Sequence, residues 1–341
     1  MTPSTINGRR VNRPETSSDL AVRDFRTRLL AWYDQNRREL PWRNRPDPYS
    51  IWLSEIMLQQ TRVAAVLEHY RLFLERFPDI FMLATAPEEA VLAAWSGLGY
   101  YRRARMLHQC ARELVANRNG VFPQNSKELQ KLPGIGRYTA AAIASIAFGE
   151  STAVVDGNVE RVLERIAGRE LNSAEVWRRA QDLLDPMRPG DFNQATMELG
   201  ATVCLPKEPR CLLCPVREWC ATRGEVQRTT RPAAQRKRQI SCLLEVRNDE
   251  VRLIQRDANE SLMAGMWELP QMGTKPSISS RRPWRTFRHS ITVTDYTVHV
   301  FRKAGKPQTR KIQGNWIKVD QLRNLPLTGL ARKVLKAGSF I

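Results

Sequence analysis

Up to about residue 222 the apolar side chains recur at helical spacing, and from about residue 240 onward they fall in the short runs that strands use. Val159, Val162, Leu163 and Ile166 stand at i, i+3, i+4 and i+7, which predicts an amphipathic helix starting just after Asp156. Ile51 and Trp52 lie one turn before Glu55 and Leu58 lies three residues after it, so Glu55 is expected close to the apolar face of another helix. The run Tyr138-Thr139-Ala140-Ala141-Ala142-Ile143 opens a further good helix former. In the last third, Ile240–Val246 and Val251–Gln255 flank Asn248-Asp249-Glu250, a hairpin signal, and Tyr296–Phe301 reads as a later strand.

Between two of the helical stretches stands Leu132-Pro133-Gly134-Ile135-Gly136-Arg137. Two glycines around one apolar residue let the backbone turn sharply with its amides outward, and such amides suit a phosphate. Because Lys127–Lys131 and the alanine-rich run flank the turn, it reads as helix, hairpin, helix. It does not follow a strand, which argues against a dinucleotide-binding loop. An ordinary helix connector is the plainer alternative for Pro-Gly-x-Gly taken alone. Twenty residues after Gly136 comes Asp156, in Val154-Val155-Asp156-Gly157-Asn158.

Composition narrows the partner. A chain of 341 residues is expected to hold two domains, and 54 Lys+Arg against 35 Asp+Glu, a formal net charge of +19, favours a polyanion. Nucleic acid leads and an anionic membrane surface is second. The apolar runs are short and interrupted, and Arg9, Arg10 and Arg13 occupy the start without an apolar core, so neither a spanning helix nor a secretory signal is expected. The expectation is a cytoplasmic protein of the bacterial cytosol or nucleoid, with no membrane partner. Residues 1–18 read as a disordered basic arm and 223–238 as a basic linker. A helical domain over 19–222 and a second domain over 239–341 remain.

Cys204, Cys211, Cys214 and Cys220 form a C-x6-C-x2-C-x5-C run interleaved with Pro206, Pro209 and Pro215. Clustered thiols in a cytosolic protein ligate more often than they cross-link, and four suit zinc or an iron–sulfur cube. Spacing alone does not choose, although the long first gap is atypical of a zinc ribbon. With Lys207, Arg210 and Arg217 alongside, the expected role is to hold a small basic loop rigid against DNA. Cys110 and Cys242 are isolated and read as packed thiols.

Together the hairpin, the Val-Asp-Gly-Asn-Val stretch and the cysteine spacing resemble the endonuclease III superfamily of DNA glycosylases, and within it the MutY-type adenine glycosylases. Leu40-Pro41-Trp42-Arg43, Trp52 to Thr61, Gly97-Leu98-Gly99-Tyr100-Tyr101 and Phe192-Asn193-Gln194-Ala195 carry the likeness from about residue 20 to 222. More loosely, Leu262 to Pro270 is similar to the family's MutT-like recognition domain. The implied fold is a mostly α helix-hairpin-helix glycosylase domain with an iron–sulfur cluster loop, followed by a smaller α+β MutT/Nudix-like domain. The implied cofactor is a [4Fe-4S] cluster on the four cysteines. The implied partner is double-stranded DNA containing an adenine mismatch, bound by a monomer.

The resemblance also distributes roles. Adenine leaves only once a ring nitrogen is protonated, and departure puts positive charge on the sugar, so two carboxylates in opposite protonation states are needed. Glu55, whose expected burial would raise its pKa, matches the proton donor; Asp156, at a helix N-terminus where the macrodipole favours charge, matches the sugar-stabilising anion. A partly buried salt-bridging Glu and a simple N-cap Asp are their plainer alternatives. Tyr138 and Asn158 assist around the sugar. Gln60 and Tyr100 are the implied duplex probes, while Trp42, Arg43 and Gln194 would line the adenine pocket; Gly134 and Gly136 would hold phosphate. Strand-cutting relatives carry a lysine where this chain has Tyr138, and a phenol cannot form an imine, so hydrolysis without strong lyase activity is expected.

In the second domain no R-E-x-x-E-E run follows Pro270, so binding is expected there and nucleotide hydrolysis is not. The family's 8-oxoguanine-sensing loop reads Phe-Ser-His, whereas this chain has Phe287-Arg288-His289-Ser290, with Arg288 in place of the serine. The leading reading is a monofunctional glycosylase of base excision repair that removes adenine opposite 8-oxoguanine or guanine. Its rivals are an endonuclease III-like pyrimidine glycosylase/lyase and a non-catalytic DNA-binding module.

Overall fold

The computed structural model describes residues 17–43, 47–224, 236–257, 259–260, 262–272, 282–291, 293–304 and 314–341. Its helices are α1 (Ser17–Asn36), α2 (Pro48–Leu58), α3 (Val63–Arg76), α4 (Ile80–Thr85), α5 (Glu88–Trp95), α6 (Tyr101–Arg118), α7 (Ser126–Leu129), α8 (Arg137–Phe148), α9 (Gly157–Ala167), α10 (Ser173–Leu183), α11 (Pro189–Thr202) and α12 (Gly329–Ala337). The strands, all after α11, are β1 (Arg236–Arg247), β2 (Glu250–Gln255), β3 (Trp267–Glu268), β4 (Gln271–Met272), β5 (Arg285–Ile291), β6 (Thr294–Ala304) and β7 (Asn315–Lys318). Most of the expected basic arm and linker, residues 1–16 and 225–235, lies outside the described residues. At two of their edges those segments are regular: Ser17 and Ser18 open α1, and Arg236–Arg238 open β1 because its parallel pairing with β6 begins at Arg236 with Thr294.

The described chain falls into two compact units. One holds residues 17–39 with 141–224, the other 40–140 with the described residues from 236 on, and the division lies inside α8. In the first unit, Phe25, Leu29 and Tyr33 of α1 pack with Val162, Phe192 and Leu199. Of the stripe on α9, Val159, Val162 and Leu163 are buried and Ile166 is half-buried, and Gly168 ends the helix in a left-handed conformation at φ 74°. The Arg38 guanidinium grips the buried carboxylate of Glu198 with two hydrogen bonds, Nε to Oε1 at 2.7 Å and Nη2 to Oε2 at 2.9 Å, tying the chain just after α1 to α11.

In the second unit α2 is buried continuously from Tyr49 to Met57, the pattern of a central helix. Asp47 caps it by accepting from Ser50 N at 2.9 Å, and Pro48 takes the first turn, where no amide is needed. The C-terminal strands form a mixed seven-stranded sheet ordered β3-β2-β1-β6-β5, with β4 on β1 and β7 on β2. The expected hairpin is present: Val246 pairs with Val251 across a turn whose Asn248 takes φ 51°. Cys242, Leu244, Val251, Leu253, Val298 and Val300 make the sheet's core against Val334 and Leu335 of α12. Phe287-Arg288-His289-Ser290, expected as a loop, is instead part of β5. Polar and half-buried residues alternate there, and Phe287 and His289 pair with Val298 and Tyr296 of β6.

Candidate active site

Glu55 lies three residues from the end of α2 and is 6% exposed. Its Oε2 accepts the hydroxyl of Tyr138 at 2.6 Å, and Tyr138 is the second residue of α8, at the exit of the hairpin. The hairpin itself needs its first glycine. Gly134 has φ 73°, and a Cβ there would come within 2.7 Å of Met106 Cβ. At exposed Gly136 an added Cβ would meet nothing within 4 Å, so that glycine leaves room on the outside. In the same unit Gln59, the C-cap of α2, donates from Nε2 to Thr139 Oγ1 at 3.2 Å.

Asp156 belongs to the first unit and caps α9. Its Oδ1 accepts from Asn158 N at 2.9 Å and Val159 N at 2.8 Å, and its Oδ2 accepts from Asn158 Nδ2 at 3.0 Å. Asn158 is held in turn: its Oδ1 accepts from Arg161 Nη2 at 2.8 Å, and that guanidinium also donates to Gly200 O at 2.7 Å and Cys204 O at 2.9 Å. A hydrogen-bonded chain therefore runs from the first cysteine's carbonyl to the Asp156 carboxylate. Gly200 permits the approach, since a Cβ there would sit 2.7 Å from that of Asn158. The extended segment before Asp156 is clamped by two side chains. Asn193 accepts from Val154 N at 3.0 Å and donates to Thr152 O and Ser145 Oγ, both at 2.9 Å, and Gln181 accepts from Ala153 N at 2.9 Å. Asn193, buried at 3% exposure, and Arg161 had no role in the sequence reading; the one available signal was an asparagine set between Phe192 and Ala195 on the apolar side of a helix.

Gln60 and Tyr100 are exposed, and both take left-handed backbone, φ 54° and φ 50°. Tyr100 lines a groove of about 990 Å³ in the second unit, shared with Gln59, Arg103 and Gly134 and, from the sheet domain, Met263 and His289. Burial, with Lys333 nearby, holds His289 below the usual histidine range. Arg288, next to it in β5, is exposed, as alternation along a strand dictates. Phe287 is half-buried beneath the Lys333 ammonium, 5.9 Å from the ring centre. Trp42 is buried edge-on against Tyr70 at 5.3 Å, and Arg43 is half-buried beside it in a short 3₁₀ turn. Gln194, half-buried on α11, belongs to the first unit.

The four cysteines follow α11, each half-buried. Burial first, then the thiols of Cys204, Cys220 and Cys211, push Cys214 up to about 11, so the four sulfurs share one neighbourhood. Two receive N–H donors: Arg165 Nη1 reaches Cys204 Sγ at 3.2 Å and Arg223 N reaches Cys220 Sγ at 3.4 Å. Among the described residues no three Cys, His, Asp or Glu side chains converge on one metal ion. A cube gives each thiolate its own iron and so takes a wider set than tetrahedral zinc, and N–H donors to sulfur are part of such sites. The donor set fits a cluster.

The profile of the HhH-GPD superfamily base excision DNA repair protein family matches residues 53–186, the stretch that carries Glu55, the hairpin and Asp156. The adenine DNA glycosylase of Mus musculus is 45% identical over 287 residues, covering 79% of this chain and 54% of the mouse protein. The adenine DNA glycosylase of Mycobacterium tuberculosis is 45% identical over 204 residues, covering 58% of this chain and 67% of that protein. The chain thus spans about half the length of the mouse relative. Among solved structures, that of a thermostable thymine-DNA glycosylase aligns with a TM-score of 0.57 at 30% identity, covering 61% of this chain and 99% of that one. Among the described residues, no helix is long and apolar enough to cross a membrane.

Proposed function

Because the chain belongs to the adenine DNA glycosylase family, within the HhH-GPD superfamily, we propose that it hydrolyses the N-glycosidic bond of adenine mispaired with 8-oxoguanine or guanine in duplex DNA. The observation that carries this reading is the buried Glu55 carboxyl bonded to the Tyr138 hydroxyl where the hairpin enters α8. A hydroxyl turns from donor to acceptor, so this pair tolerates Glu55 with or without its proton. The three groups that surround Asp156 are all N–H donors, so both of its oxygens are held in place as acceptors. Glu55 gives its proton to a ring nitrogen of adenine, which makes the base a neutral leaving group. Asp156 stabilises the positive charge left on the sugar, and water completes the hydrolysis. Tyr138 positions Glu55 and, lacking an amine, forms no imine with the opened sugar.

The base must leave the stack to be reached. Gln60 and Tyr100 fill and probe the opened duplex, Trp42, Arg43 and Gln194 contact the extruded adenine, and the outward room at Gly136 with the turn at Gly134 admits a phosphate to the hairpin amides. The sheet domain, residues 239–341, binds the opposite base; His289 lines the groove while Arg288 lies on the alternate side of its strand, which supports a base contact for His289 and a phosphate contact for Arg288. Cys204, Cys211, Cys214 and Cys220 would hold a [4Fe-4S] cluster, which when bound supplies a rigid cross-link for the basic loop. The enzyme acts as a monomer on double-stranded DNA. The test is a panel of mismatched duplexes assayed with and without alkali: adenine opposite guanine or 8-oxoguanine is expected to yield breaks only after alkali. Breaks without alkali, or cleavage of damaged pyrimidines in its place, would overturn the proposal.

A further inference from the structure

Gln60 and Tyr100, both exposed and both with left-handed backbone, occupy helix-terminal positions where glycine is least costly. Gln60 is the residue after the C-cap of α2, and Tyr100 is the N-cap of α6. Each keeps a long side chain at the expense of backbone strain. One guanidinium compensates both. Arg103 donates from Nη1 to Ile56 O at 2.8 Å, to Met57 O at 3.2 Å and to Gln59 O, carbonyls at the end of α2 that the helix leaves without donors. From Nη2 it donates to Thr61 Oγ1 at 3.2 Å, so both chain neighbours of Gln60 are fastened to it. The same group lies 5.2 Å from the Tyr100 ring centre and 5.6 Å from that of Trp95, whose Nε1 in turn donates to Gly99 O at 3.1 Å. Burial pushes Arg103 down to about 10, which leaves it charged at neutral pH.

We propose that Arg103 is a positioning residue that sets Gln60 and Tyr100 as a single duplex-facing pair, coupling the end of α2 to the start of α6. This rests on the reading that those two side chains meet the duplex. A lysine keeps the charge but has no planar fork for several carbonyls and stacks poorly on a ring.

The test compares wild type, Arg103→Lys, Tyr100→Ala and the double variant in the free protein and in single-turnover adenine release from a duplex with adenine opposite guanine. In Arg103→Lys, amide hydrogen exchange at residues 59–62 and 100–103 is expected to quicken at least about tenfold while α9 is unchanged, and release to slow by at least about tenfold. Adding Arg103→Lys to Tyr100→Ala is expected to slow release by no more than about twofold further, because both act through one arrangement. Should Arg103→Lys fold poorly, adding Gln60→Gly is expected to restore its thermal midpoint, since glycine takes the left-handed position freely, without restoring release. Unchanged exchange in Arg103→Lys, fully multiplicative rate losses, or no recovery of the midpoint by Gln60→Gly would each overturn the proposal. A wild-type protein that releases no adenine would remove the functional reading instead, and the exchange comparison would still decide the role of Arg103.

Discussion

Glu55 is buried within a central helix and bonded to a phenol, whereas Asp156 stands half-buried at a helix N-terminus among three N–H donors. The contrast separates two ways of holding a carboxyl group. At Glu55 the partner is a hydroxyl, which can donate or accept; at Asp156 the three partners are N–H groups, which only donate and so fix both oxygens in place. On the proposed mechanism, this difference in neighbours is what divides two carboxyl groups into an acid and a fixed anion.

The largest expected effects come from removing either half of that contrast. Glu55→Gln and Asp156→Asn should each slow single-turnover adenine release by about 10²- to 10⁴-fold while gel-shift affinity for the mismatched duplex is retained. Stability distinguishes the two positions: Asp156→Ala should also lower unfolding stability by about 1 kcal/mol through the lost cap, which Asp156→Asn largely preserves. Next in size is Asn193→Ala. It leaves Val154 N without its acceptor beside Asp156, an expected cost of about 1–3 kcal/mol in denaturant unfolding, with adenine release slowed less than in Asp156→Asn. Smaller again is Tyr138→Phe, which removes one hydroxyl from Glu55 and is expected to slow release by about tenfold without altering duplex affinity.

Much of this contrast was legible in the sequence, for local reasons. The burial of Glu55 follows from apolar residues at i−4, i−3 and i+3, and the cap at Asp156 from the stripe that begins three residues later. The β1–β2 hairpin was marked by its Asn-Asp turn. What escaped was non-local. Arg103 reaches carbonyls more than forty positions away, Asn193 holds Val154 across 39 positions and Arg161 reaches Cys204 across 43, and no periodicity records such partners. The β5 strand escaped for a different reason: its short polar alternation, Arg285 to Ile291, becomes a strand only because β6 is there to pair with it.

The smallest expected effect lies in the sheet domain, outside the carboxylate pair. Burial and Lys333 lower His289 from 6.5, so the folded state disfavours its proton. The unfolded chain therefore takes up that proton first as pH falls below about 6.5, and stability should decline from there toward the lower folded value. Thermal melts from neutral to mildly acidic pH should show the decline in wild type and its reduction in His289→Gln.

The proton transfer proposed for Glu55 is tested most directly on the leaving group. Duplexes in which N1, N3 or N7 of the target adenine is replaced in turn by carbon should all bind, and at least one should resist release at the level of Glu55→Gln on ordinary adenine. On that resistant analogue, wild type and Glu55→Gln should perform alike. Release of all three analogues at the rate of adenine would contradict the account.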